Sequence, residues 1–172
     1  MLTINKGIEV KTKWSELTYT DLQELLAIPQ DTPLLNYHTK LLQIVTGKDE
    51  DWVNQVVPYT IEKLIPHLEF LFAMPKLNKS VKLQDKTIDL NNIKPEFKTY
   101  GAKMLYNRNL TDYNDGKISF EAFCSMGAKI YLHSELSDRF DEKGIDAVDL
   151  SGLIPVEVML INDFFLKGLV GS

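Results

Sequence analysis

Apolar positions near the start of the chain recur at every second residue, with Ile8 and Val10 set between polar neighbours, and this predicts a short half-buried strand. After Trp14 the spacing becomes helical, with Leu22, Leu25 and Leu26 on one stripe. Thr18 or Thr20 is placed to cap that helix, because a hydroxyl there accepts a bond from an orphan backbone N–H. Glu24, or Asp21 if Thr18 is the cap, stands as the reciprocal carboxylate of a capping box.

The same reading continues along the chain. Asp31 and Pro33 form a helix start signal, and Leu34, Leu35, His38, Leu41, Leu42 and Val45 follow at helical spacing up to a stop at Gly47. Asp49 opens a second short helix with Trp52, Val53 and Val56, closed by Pro58. Thr60 is expected to cap a third through Leu64, Leu68, Leu71 and Phe72, kinked or split at Pro66, and Pro75 ends the group. Val81, Leu83, Ile88 and Leu90 alternate around turn residues Asp85 and Lys86, which predicts a hairpin. Beyond it come an apolar segment from Phe97 to Tyr106, a polar break over 107–116, a helix from about Ser119 to Leu136, and a last helix from Pro155. The expected fold is mainly α, with a short N-terminal β element and a small central hairpin. The expected organisation is a single compact domain over 1–172, helical in its N-terminal region (1–75), with the hairpin at 80–90 and a helical C-terminal region (91–172).

Composition narrows the function classes. Hydrophobic residues make up 44% of the 172 and charged residues 25%, the balance of a folded domain. The formal net charge of -5 argues against nonspecific nucleic-acid binding, which needs clustered Lys and Arg. Lys76, Lys79, Lys82 and Lys86 lie close together, but as the charged edges of a solvated hairpin. Cys124 is the only cysteine, so no intrachain disulfide forms and a reducing cytoplasm is compatible. The N-terminus lacks the apolar core of a signal peptide, and the longest apolar runs are interrupted by His67, Glu69, Glu157 and Asp163, so no membrane span is expected.

No catalytic or metal-ligating pattern emerges, and no cofactor is expected. Asp112–Phe120 looks like a calcium loop, yet aligning Gly116 with the loop glycine puts Thr111 at position one, Tyr113 at three and Ala122 at twelve. The bidentate carboxylate is missing, and an Asn-Asp-Gly turn explains the same residues. His38, His67 and His133 fall on three separate predicted helices and read as boundary residues, not ligands. Asp138, Asp141 and Glu142 near Arg139 read as a solvated connection between helices. Gly101 and Gly127 are isolated, Ser125 lacks the flanking glycines of a nucleophile elbow, and Cys124 sits on an apolar helix face as a structural thiol.

Aromatic residues give the positive signal. Adjacent Phe164 and Phe165 cannot both face inward on one helix, so one of the pair is a candidate for a partner surface. With Trp14 and Trp52 they form the candidate partner-binding set. The stretch Trp14-Ser15-Glu16-Leu17-Thr18, continued by Asp21 and Leu22, resembles the opening helix of small tail assembly proteins of tailed bacteriophages, especially the chaperone-like ones. Gly47-Lys48-Asp49-Glu50 and the break at Val57-Pro58-Tyr59 are similar to elements of the same proteins, so the resemblance covers about the first seventy residues. The second half, with Lys98-Thr99-Tyr100-Gly101 and Leu153-Ile154-Pro155, suits them only loosely. The resemblance implies a non-enzymatic role in the host cytoplasm, holding tail components by covering apolar helical surface. Its partners would be other phage structural or tail proteins, and a homo-oligomer is compatible with it. A structural virion subunit (ring, tail or adaptor) is the first alternative. A small enzyme or ligand-binding domain with a site drawn from His38, His67, Asp112 and Tyr113 is the second.

Overall fold

A two-stranded antiparallel sheet opens the chain, in a computed structural model that describes residues 2–4, 8–73, 75, 77, 80–83, 85–92 and 96–170. Side chains are described over 8–73, 75, 77, 80–83, 85–91 and 96–163. The predicted strand β2 (Ile8–Val10) pairs with β1 (Leu2–Ile4), Leu2 opposite Val10 and Ile4 opposite Ile8. The fold is mainly α, and its contacts group into two units, Met1–Pro75 and Lys76–Ser172. The division falls at the proline that closes the first helical run in the sequence.

In the first unit a 3-10 turn (Trp14–Glu16) leads into α1 (Tyr19–Leu26). Thr18 is the cap: its hydroxyl accepts from the Asp21 N–H while the Asp21 carboxylate accepts from the Thr18 N–H at 2.7 Å. Helix α2 (Leu34–Thr46) packs against α1 and stops at Gly47, whose φ of 64° lies in the left-handed region that costs glycine nothing. Its start differs from expectation. Pro33, not Asp31, takes the cap position and offers no side-chain bond. Asp49 caps α3 (Glu50–Gln55) by accepting from the Trp52 N–H. Helix α4 (Pro58–Leu64) begins two residues before Thr60, because Pro58 fits the first turn with its fixed φ and absent N–H. At Pro66 the chain tightens into a 3-10 stretch, Ile65–Phe72. Val10, Leu17, Leu22, Leu41, Leu42, Val45, Leu64 and Leu68 are buried. The Lys11 N–H donates to the Val45 carbonyl at 2.9 Å, tying the strand to the end of α2.

The second unit begins with the expected hairpin, β3 (Ser80–Leu83) against β4 (Lys86–Asp89), with Val81 opposite Ile88. Lys86 lies in the strand opposite Leu83, one position beyond the turn assigned to it from the sequence. Helix α5 (Tyr100–Asn114) runs through the segment expected as a polar break. The reason is tertiary. Leu105, Tyr106 and Asn109 are buried, and the Asn109 amide donates to the Phe123 carbonyl of α6 (Phe120–Leu136) at 3.0 Å. The expected loop after α6 contains a short helix, α7 (Glu142–Asp146), which packs on α6 through buried Ile145. Helix α8 (Pro155–Val170) starts at its predicted proline and packs along α6.

Candidate functional site

The first unit exposes more apolar surface than its helices need to lose. Leu34 and Leu35, in the first turn of α2, are 70% and 77% exposed. The periodicity of the sequence puts both on the buried stripe of α2. Full burial on α2 is reached only further along, at Leu41, Leu42, Ile44 and Val45. Tyr37, one turn along α2 from Leu34, is half-buried, and its ring centre lies 6.4 Å from that of exposed Phe72. Leu26, at the end of α1, is exposed too. Tyr37 and Phe72 therefore meet at the surface, with Leu34 one helical turn before Tyr37. Val57 and Tyr59 add exposed apolar groups at the start of α4, where the Lys63 ammonium lies over the Tyr59 ring at 4.3 Å.

Of the partner-binding candidates, Trp14 and Trp52 are half-buried in the first unit. The Trp14 ring meets Phe70 edge-on at 5.5 Å, a packing contact that ties the 3-10 turn to the stretch before Phe72. The Phe164 and Phe165 side chains lie outside the described residues, as do Lys76 and Lys79 of the basic cluster.

Polar candidates are engaged elsewhere. In the calcium-like turn the Lys117 ammonium stands between Asp112 at 3.2 Å and Asp115 at 2.8 Å, a cation supplied by the chain itself. Tyr113 stacks on Phe123 at 4.7 Å, so its ring belongs to the packing. His38 and His67 belong to the first unit, Asp112 and Tyr113 to the second. Among the described residues no group of His, Cys, Asp and Glu is arranged to hold a metal ion.

His133 and Asp141 both lie beside Gly144. A Cβ on Gly144 would lie 2.7 Å from His133 Nε2 and 2.8 Å from Asp141 Oδ2, so this glycine lets both approach one backbone position. Ser137 lines the same pocket, but its hydroxyl accepts from the Arg139 N–H and donates to the Arg139 carbonyl, which commits it to a local turn.

Two ionisable groups show how burial acts here. The Cys124 thiol is pushed up to about 12 by burial and by the Asp163 charge, which keeps it protonated and unreactive. Burial opposes ionisation of Asp21, but the Lys11 ammonium, 2.7 Å away, and the Thr18 N–H and hydroxyl outweigh it, holding the carboxyl below its usual range.

The fold and this surface define a mainly α protein with an unpartnered apolar helix end. No protein-family model, curated protein or solved structure matches the chain. Among the described residues no helix is long and apolar enough to cross a membrane.

Proposed function

We propose that this chain works by contact with other polypeptides, as an assembly factor that covers apolar helical surface of bacteriophage tail components in the host cytoplasm. The observation that carries the reading is the first turn of α2, where Leu34 and Leu35 face solvent side by side. Each leaves water on association and contributes about 1.5–3 kcal/mol if fully covered. The half-buried Trp14 and Trp52 belong to the same unit as this turn, as does the stretch of chain that resembles tail assembly proteins.

The test is co-expression with a tail tape-measure protein from the same phage, reading the fraction of that protein that stays soluble. The wild-type chain is expected to raise it, and Leu34→Ser with Leu35→Ser to abolish the gain while helix content by circular dichroism is unchanged. An equal soluble fraction with and without the chain would overturn the reading. Mass spectrometry of finished particles separates a departing factor, absent from them, from a subunit that stays.

A further inference from the structure

We draw no further inference here: the strongest candidate, the cavity between β3, α6 and α7 where the His133 imidazole and the Asp141 carboxylate both approach Gly144, carries nothing because Lys82 and Asp149 line it with charges of both signs and nothing in the structure shows which ligand would occupy it.

Discussion

Replacing Gly127 with alanine tests the closest packing in the second unit. Gly127 is buried in the middle of α6, where α8 brings Asn162 against it. A Cβ at 127 would overlap Asn162 Oδ1 and lie 2.6 Å from its Cγ. Asn162 has little room to yield. It is 2% exposed, its Oδ1 has no hydrogen-bond partner among the described residues, and its amide nitrogen faces the Cys124 sulfur at 4.0 Å. Forcing a methyl group into such a site costs about 2–3 kcal/mol. Alanine in a helix interior returns about 1 kcal/mol relative to glycine. The expected net loss is therefore about 1–2 kcal/mol, a fall in Tm of about 3–8 °C. Circular dichroism melts and urea titrations measure it. Asn162→Ala in the Gly127→Ala background removes the obstructing atoms, so the double variant should recover about 1 kcal/mol relative to additivity. A Gly127→Ala variant as stable as wild type, or a strictly additive cycle, would refute the steric argument.

Acid should weaken the first unit through Asp21, because its carboxyl ionises more readily folded than unfolded. Its contribution is complete above the unfolded value of about 3.9 and is lost as pH falls from there through the lower folded value. Asp21→Asn should cost about 2 kcal/mol at neutral pH and flatten the acid limb of a stability-against-pH curve; an unchanged limb would place the acid sensitivity elsewhere. Trp14→Ala should destabilise by about 1.5–3 kcal/mol, less than for a fully buried ring, since the side chain is half-buried against Phe70. Urea midpoints decide, and a loss beyond 4 kcal/mol, roughly the fully buried range, would contradict the observed exposure. Cys124 should react with a thiol reagent at pH 8 at least about a hundredfold more slowly folded than in denaturant, and comparable rates would show that the site opens readily.

Local chemistry in the sequence settled where several helices begin or end. The Thr18–Asp21 capping box, Asp49 before Trp52, the left-handed Gly47, Ser119 before α6 and Pro155 at the start of α8 act within a few residues. The alternation around Val81 and Ile88 was readable for the same reason, since a strand's faces follow from a period of two. Tertiary structure decided what those elements touch. Residues 107–114 look polar enough to be a loop, yet they are helical because Tyr106 is buried and Asn109 reaches the Phe123 carbonyl. Leu34 and Leu35 fit a buried stripe by spacing and are exposed, while Leu41, Leu42, Ile44 and Val45 of the same helix are buried. The approach of Asn162 to Gly127 likewise depends on side chains meeting in space. Periodicity fixes which side of a helix is apolar; whether anything covers that side is fixed only when other parts of the chain fold against it.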